Sequence, residues 1–250
     1  MSAVLKVRAA AHHQTMLEQY ALQTAQTAQL STIYDENSVF VPKDTLGKPH
    51  TVLCDLDSVA AIGRFSEGRT AVLNFASFRN PGGKFLEGSS AQEEALCHAS
   101  NLYEVLSQFP DYYKNNRRDL NNGMYYDRAI YSPDIIFNYR GKFISCDVIT
   151  CAAPNMRNGK TDRVTNRRTL VQRIHFINQI AEDNNVDTLI LGAYGCGVFR
   201  QNPYEVAEVF KDEFAETAVK KVVYAIPANL DEKNYYAFDF VLNGGDLIPI

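Results

Sequence analysis

Residues 71–94 read AVLNFASFRNPGGKFLEGSSAQEE and hold both a structural and a chemical signal. The apolar run AVLNFAS (71–77) predicts a buried strand, because it is short and ends in turn residues. A loop rich in Asn, Pro and Gly follows, and two adjacent glutamates then begin a helical pattern. A strand, a glycine loop and a helix in this order predict one unit of a parallel sheet that is covered by helices.

The same order recurs along the chain. Apolar runs predict three further buried strands, over 146–154, 187–195 and 220–227. Helical spacing predicts helices over 2–30, 90–108, 167–184 and 202–214. Residues 34–53 are predicted to form short strands and turns, and the tail 234–242 either a helix or an extended return. In such a sheet, ligands bind beyond the carboxyl ends of the strands.

Composition narrows the class of protein. The chain has 250 residues, which suits one large domain or two small ones. Apolar residues make up 46% and charged residues 22%, as in ordinary soluble globular proteins. The net charge of −4 argues against general nucleic-acid binding, which needs clustered Lys and Arg. No stretch approaches the roughly 20 apolar residues that span a membrane, and we predict no secretion signal.

Cysteines and histidines give weaker signals. The five cysteines are odd in number and form no CxxC pair, so we predict reduced thiols in a cytoplasmic protein. His12 and His13 lie in the first predicted helix. Neighbouring helical positions diverge by about 100°, so these two side chains are predicted to be solvated rather than to bind a metal together.

The double glutamate has a structural and a chemical interpretation. Ser90 and Glu93 fit a capping box, in which Ser90 caps the helix and Glu93 reaches back to the Ser90 N–H. This leaves Glu94 unexplained. Adjacent helical positions do not face each other, so one glutamate would perform any chemistry while the other orients the substrate. A general acid beside a ribose would need a pKa raised from about 4.3 towards 6–7.

Two glycine loops could hold a diphosphate. They are NPGGKF (80–85) and GAYGCGVF (192–199), and each follows a predicted strand. Glycine lets backbone N–H groups approach phosphate oxygens, and the helix that follows the second loop adds partial positive charge. Neither loop matches a P-loop or the dinucleotide fingerprint. The aromatic rings of Tyr194 and Phe199 could belong to the core or could stack on a ribose.

The segments together resemble the microbial-type poly(ADP-ribose) glycohydrolases, a macrodomain-related family whose hallmark is a glycine run followed by Gln-Glu-Glu. Later segments agree in order, namely YYDRAIYSPDIIF (125–137), VITCAAPN (148–155), LILGAYGCGVFRQNP (189–203) and VVYAIP (222–227). The resemblance implies an α/β protein with a three-layer α/β/α macrodomain-like fold and a mixed, largely parallel central sheet. It also implies a single catalytic domain over 1–250, with an N-terminal helical extension (1–50) and a core (51–250).

The resemblance further implies cleavage of the ribose–ribose O-glycosidic bonds of poly(ADP-ribose), releasing ADP-ribose. Glu94 would be the general acid and base, and Glu93 would fix the ribose. Substrate contacts would come from Asn80, Gly82, Gly83, Lys84, Gln92, Ala193, Tyr194, Gly195, Cys196, Gly197, Val198 and Phe199. No metal or other cofactor is implied. We expect a monomer in the cytoplasm whose partner is ADP-ribose or its polymer on modified proteins, without membrane contact.

Two departures from the family pattern bear on activity. Lys84 stands where the family usually has a third glycine, and Gln201-Asn202 stands where Asn-Asp is common. Two alternative functions stay open, the first because of Lys84 and the second because the sequence does not show how open the pocket is beyond the distal ribose. One is a non-hydrolytic module that binds ADP-ribose, and the other is a hydrolase of mono-ADP-ribosyl adducts.

Overall fold

A computed structural model describes residues 2–45, 47–230 and 232–244. Within these residues, seven strands form one sheet. They are β1 (Thr32–Tyr34), β2 (His50–Cys54), β3 (Thr70–Phe75), β4 (Ala129–Tyr139), β5 (Lys142–Cys151), β6 (Thr188–Leu191) and β7 (Lys221–Ala225). The helices of the described residues are α1 (Ala3–Gln19), α2 (Ala21–Leu30), α3 (Ser58–Phe65), α4 (Gln92–Ala99), α5 (Leu102–Leu106), α6 (Pro110–Arg118), α7 (Arg163–Asp183), α8 (Pro203–Glu213) and α9 (Glu232–Asn243).

The sheet is mixed and largely parallel, as predicted. Its order is β1-β4-β5-β3-β6-β7-β2. The five strands from β5 to β2 run parallel, and Leu73 of β3 pairs with Ile149 of β5. β4 runs antiparallel to both β5 and β1. The carboxyl ends of β5, β3 and β6 therefore lie next to one another at one edge of the sheet.

Two hydrophobic clusters cover the two faces of the sheet. Successive residues of β3 point to opposite faces: Leu73 packs with α7 and α8 residues, and Val72 packs with residues of α3 to α6. Both side chains are fully buried, and each such burial stabilises the fold by roughly 1.5–3 kcal/mol. The fold thus has the predicted α/β/α layers.

Several predicted boundaries change. The helix predicted over 90–108 is two helices, because Ser100 is extended and pairs with Phe137 in an isolated bridge. The helix predicted over 2–30 divides at Tyr20. The tail is a helix, α9. The predicted strands 146–154, 187–195 and 220–227 end earlier, at Cys151, Leu191 and Ala225 respectively.

The N-terminal helix α1 packs on the rest of the fold. Nε2 of His12 lies 2.8 Å from the Ser100 carbonyl oxygen, and Nδ1 of His13 lies 2.8 Å from Oε1 of Glu104. The Ser2 N–H donates to the Gly88 carbonyl at 3.0 Å. The two histidines are therefore only partly solvated, because α1 docks against α5 and the turn before α4.

The proposed division at residue 50 stays a prediction, although β1 lies before it and pairs with β4 in the central sheet. In the part of the chain that the structure describes, every helix is too short or too polar to cross a membrane.

Candidate active site

The loop after β3 turns tightly at its two glycines. Gly82 and Gly83 have φ angles of 60° and 59°, in the left-handed region that favours glycine. A Cβ atom on Gly83 would lie 2.6 Å from Oε1 of Glu94 and 2.7 Å from Oε2 of Glu93. A side chain has no room there, so the glycine allows both carboxyl groups to converge on the loop even though they occupy adjacent positions of α4.

Glu94 is held by one of its two carboxyl oxygens. Its side chain is buried, with 6% of the residue exposed. Oε1 accepts a hydrogen bond of 2.8 Å from the Lys84 N–H. Oε2 is also buried and has no hydrogen-bond partner among the described residues. The carboxyl group is therefore fixed in place with one oxygen unused.

Glu93 uses both oxygens. Oε1 accepts from Nδ2 of Asn74 at 3.3 Å, and Oε2 accepts from the Ser77 N–H at 2.7 Å. Burial raises the pKa of Glu93 to about 8, against the lowering effect of the Ser77 hydrogen bond, and the nearby Glu94 carboxylate adds to the rise. Glu93 is therefore largely neutral near pH 7.

The capping box predicted at the start of α4 is absent from the structure. The helix begins at Gln92, one residue later than the box requires, and Ala91 is its N-cap without a side-chain cap. Glu93 is consequently the second residue of the helix, whereas a capping box needs the glutamate at the third. Its carboxyl group turns instead to Ser77, which lies beyond the end of β3.

The side-chain amide of Gln92 forms hydrogen bonds with neighbouring elements of the fold. Its Oε1 accepts from the Phe75 N–H at 2.9 Å, and its Nε2 donates to the Leu73 carbonyl at 2.9 Å and to Oγ of Ser58 at 3.1 Å. These bonds fasten α4 to β3 and α3. These three bonds occupy the amide and position the two glutamates that follow it. The predicted contact of Gln92 with substrate stays a prediction.

Lys84 and Asn80 contribute backbone groups to the loop after β3. Lys84 has a φ of −116°, which a residue with a side chain adopts freely, so this position does not need the family's third glycine. The lysine side chain is exposed, with Nζ 3.7 Å from a carboxylate oxygen of Glu87. Asn80 is exposed, and its carbonyl accepts from the Gly83 N–H at 3.2 Å.

The second glycine loop, 192–199, follows β6. Gly195 has a φ of 74°, and a Cβ atom on it would lie 2.7 Å from Cβ of Ala153. The Cys196 N–H closes the turn on the Ala193 carbonyl at 3.1 Å. Four backbone N–H groups of this loop have no acceptor among the described residues, namely those of Gly195, Gly197, Val198 and Phe199. The loop therefore presents a row of unused donors at the edge of the sheet where β3 also ends.

The predicted aromatic contacts separate into two kinds. Tyr194 is fully buried, donates its hydroxyl to the Cys151 carbonyl at 3.1 Å, and packs on Phe75. Its side chain belongs to the core, and the predicted contact of Tyr194 with substrate stays a prediction. Phe199 is half-buried, and its ring centroid lies 6.0 Å from that of Tyr125. Val198 is 60% exposed at the tip of the loop.

Gln201 and Asn202, the second departure from the family pattern, stabilise the start of α8 and the loop before it. Asn202 is the N-cap of this helix and accepts from the Tyr204 N–H at 3.0 Å. The Gln201 N–H donates to the Gly195 carbonyl at 3.0 Å, and its side-chain Nε2 donates to the Pro154 carbonyl at 2.7 Å. Gln201-Asn202 thus provides the helix cap and holds the loop in place.

No group of three or more His, Cys, Asp or Glu side chains in the described ranges could hold a metal ion.

Comparison with known proteins agrees with this geometry. The family model "Microbial-type PARG, catalytic domain" matches residues 5–139, which is more than half of the chain and includes both glutamates. The chain belongs to this family. The enzymes of the microbial-type PARG family are poly(ADP-ribose) glycohydrolases, and the chain is an enzyme of this class, so the predicted family and enzyme class are confirmed. No curated protein matched the chain.

Solved structures extend the similarity beyond the PARG family model. The poly(ADP-ribose) glycohydrolase of Thermomonospora curvata is 26% identical, with a TM-score of 0.87 over 96% of this chain and 100% of that one. The Deinococcus radiodurans enzyme in complex with ADP-ribose is 28% identical, with a TM-score of 0.77 over 88% of this chain and 97% of that one. The Thermomonospora curvata enzyme bound to the inhibitor ADP-HPD is 25% identical, with a TM-score of 0.83 over 95% and 98%. The macrodomain-like fold is thus confirmed over nearly the whole chain.

Sequence reasoning missed several residues of the PARG site. Asn74 and Ser77 hold Glu93, and Tyr125 stacks on Phe78 at 4.3 Å beside Phe199. Only Asn74 left a signal, as a lone amide inside an otherwise apolar strand. Its Oδ1 is buried without a partner among the described residues, which is typical of a polar group that serves a site.

Proposed function

We propose that Glu94 is the general acid and base with which this chain hydrolyses the ribose–ribose bond of poly(ADP-ribose). The observation that carries the proposal is the buried Oε2 of Glu94, which has no partner among the described residues while Oε1 is held by the Lys84 N–H. A carboxyl group with one oxygen fixed and the other unused is suited to exchange a proton with a bound ligand. Family membership supplies the reaction.

The proposed reaction has two proton transfers at Oε2. Glu94 first donates its proton to the departing ribose oxygen, and the glycosidic C–O bond breaks as the sugar becomes oxocarbenium-like. The Glu94 carboxylate then takes a proton from water, whose oxygen bonds to the anomeric carbon. The products are ADP-ribose and a polymer that is one unit shorter, and the glutamic acid is regenerated.

Glu93 would position the sugar for this reaction. Its pKa of about 8 keeps it largely neutral at pH 7. A neutral carboxyl group can donate its O–H to a ribose hydroxyl while Oε2 still accepts from the Ser77 N–H.

The second loop would hold the diphosphate. The unused N–H groups of Gly195, Gly197 and Val198 are suited to donate hydrogen bonds to phosphate oxygens, and the N-terminus of α8 lies a few residues further on. Phe199 would brace the ribose between the diphosphate and Glu94. The ADP-ribose complex of the 28% identical Deinococcus radiodurans enzyme supports ADP-ribose as the ligand.

Lys84 no longer favours a non-hydrolytic binding module. This alternative rested on the lysine in place of a third glycine, but the lysine backbone is unstrained and its N–H holds Glu94. The lysine side chain is exposed next to Glu87. A hydrolytic site is therefore compatible with Lys84.

The deciding experiment is ADP-ribose release from defined poly(ADP-ribose), measured by chromatography. Wild type should release ADP-ribose and Glu94→Gln should not. Glu87→Gln is the matched control, since Glu87 is an exposed glutamate of the same region, and it should release ADP-ribose at the wild-type rate. An active Glu94→Gln protein would remove Glu94 from the mechanism. An inactive wild type that binds ADP-ribose would favour a binding module or a mono-ADP-ribosyl substrate.

The cellular setting is also part of the proposal. Cys54, Cys97, Cys146 and Cys151 are thiols in the structure, which supports the cytoplasm as the location. There the enzyme would act as a monomer on polymer attached to modified proteins, without general nucleic-acid binding. Sedimentation of the purified protein checks the monomer.

A further inference from the structure

The segment after β5 is strongly cationic. Residues 156–168 read MRNGKTDRVTNRR and carry five cations against a single carboxylate, in a chain whose net charge is −4. Arg157, Lys160 and Arg163 are exposed, and none of them forms an ion pair within the described part of the chain. The one acid, Asp162, is occupied as the N-cap of α7. These cations are therefore available to an external anion.

Hydrogen bonds fasten both ends of this cationic segment to the active site. At one end, the Met156 N–H donates to the Phe199 carbonyl at 2.9 Å. At the other end, Asn166 and Gln201 exchange two side-chain hydrogen bonds of 2.8 and 2.9 Å, and the Gln201 N–H bonds to Gly195. The cations thus lie on a surface that is continuous with the second glycine loop.

With ADP-ribose bound as proposed above, the order of the strands indicates that the segment lies on the side of the leaving group. The second loop follows β6, the glutamates lie at the end of β3, and the cationic segment follows β5, while the sheet order is β5-β3-β6. A ligand with its diphosphate over β6 and its scissile bond over β3 directs its leaving group over β5. In poly(ADP-ribose) that leaving group is the next ADP-ribose unit, which carries its own diphosphate.

We propose that Arg157, Lys160 and Arg163 bind the diphosphate of the polymer unit that leaves. This inference rests on the proposed function, because it extends the same site to a second unit of the substrate. The surface beyond them suits the rest of such a unit. A groove of about 560 Å³ runs between α7 and α8, lined by arginines and by the exposed Val164 and Val171. Planar bases pack on apolar side chains and on guanidinium groups.

The test removes three charges at once. The variant Arg157→Ala/Lys160→Ala/Arg163→Ala keeps the backbone bonds of the segment, and alanine is a good first residue for α7. The control, Lys43→Ala/Lys48→Ala/Lys142→Ala, removes the same charge near the amino ends of the parallel strands. Both are assayed for kcat/KM on long poly(ADP-ribose) over a range of salt concentrations, and for the Kd of ADP-ribose, which fills only the pocket.

We expect the first variant to lose about ten-fold in kcat/KM at low salt. The slope of log(kcat/KM) against log[salt] should also become shallower by about 2, since three cations no longer displace counterions from the polymer. The Kd of ADP-ribose should change less than about two-fold, and the control should lose less than about two-fold in kcat/KM. Equal losses in both variants, or a parallel loss of ADP-ribose affinity, would overturn the proposal.

Two further measurements distinguish this proposal from failure of the proposed function and from general binding of polyanions. Polymer affinity is measured without turnover in a Glu94→Gln background, so that the cationic segment is tested even if wild type releases no ADP-ribose and the proposed function fails. Unchanged polymer affinity on removal of the three charges would reject the segment. Single-stranded RNA is the competitor: if it displaces polymer at equal phosphate concentration, the segment is a general polyanion surface and the assignment to the leaving unit is wrong.

Discussion

The two loops at the edge of the sheet are built in opposite ways. In the loop after β3, the backbone fixes side chains: the Ser77 N–H holds Glu93 and the Lys84 N–H holds Glu94. In the loop after β6, the backbone itself is left unused, since the N–H groups of Gly197 and Val198 find no acceptor among the described residues. The first loop presents acids and the second presents donors.

From this difference we expect turnover and affinity to depend on separate parts of the site. Changes in the first loop should alter proton transfer at Glu94 while ADP-ribose still binds. Changes in the second loop should weaken binding while the chemistry at saturation persists. Single substitutions in the two loops test that separation.

Glu94→Gln should lower kcat by roughly a thousand-fold, within the range that general acid–base catalysis contributes. The amide keeps the shape of the carboxyl group and can still accept from the Lys84 N–H, so the Kd of ADP-ribose should stay within a few-fold. Single-turnover kinetics and calorimetry measure the two quantities. A variant that loses affinity and rate together would contradict the separation of the two loops.

Gly83→Ala should lower kcat by roughly a hundred-fold. Its Cβ would lie 2.6 Å from Oε1 of Glu94 at a φ of 59°, so the carboxyl groups must move, and small displacements of catalytic groups have effects of this size. Lys84→Gly is the matched control at the next position, where φ is −116°, and it should change kcat less than about three-fold. A faster Lys84→Gly enzyme would show instead that the lysine restrains the loop.

Gly195→Ala should raise the Kd of ADP-ribose by roughly ten-fold and leave kcat at saturation within a few-fold. The new Cβ would lie 2.7 Å from Cβ of Ala153, so the loop and its unused N–H groups must shift. Gly141→Ala carries the same left-handed strain, with a φ of 80°, but sits in the β4–β5 turn with no atom within 4 Å. Both variants should lose stability through the left-handed backbone, and Gly195→Ala should lose more because of its contact with Ala153. Calorimetry should find weaker ADP-ribose binding for Gly195→Ala and unchanged binding for Gly141→Ala.

Most of the parallel strands could be predicted because they contain short apolar runs that end in turn residues, and glycine loops follow β3 and β6. β4 could not, since its pattern is broken: its pairing with β5 shifts between Ser132 and Ile135, and Asp134 has a φ of 53°. A β-bulge of this kind interrupts the alternation on which strand prediction depends. Helix α1 gave a helical signal but no hint of its partners, which lie about 90 residues away along the chain.

The candidate site was predicted through the resemblance rather than through local rules. The rules for helix starts assigned Glu93 to a capping box, whereas its carboxyl group is held by Asn74 and Ser77 from another element. Tyr194 could not be placed in the core or the pocket from its position beside a glycine. Tertiary contacts decide both cases, and a pattern of a few residues does not contain them.

The smallest predicted effect concerns Glu93 and stability. Its pKa rises from about 4.5 in the unfolded chain to about 8 in the fold because of burial, so the unfolded chain loses this proton first as pH increases. The stability that neutral Glu93 provides is complete below about pH 4.5 and is lost as pH rises to about 8. Glu93→Gln removes this dependence while it keeps the shape of the side chain.

We therefore expect Glu93→Gln to melt close to wild type at pH 5 and several degrees higher at pH 9, since about 1 kcal/mol shifts the Tm of a domain this size by roughly 2–4 °C. The exposed Glu87→Gln serves as control and should give the same difference from wild type at both pH values. The melting temperatures at the two pH values also test whether the loop after β3 holds one neutral and one reactive carboxyl group. If Glu93→Gln gained nothing at pH 9, Glu93 would be ionised in the fold, and the neutral partner that we place beside Glu94 would have to be abandoned.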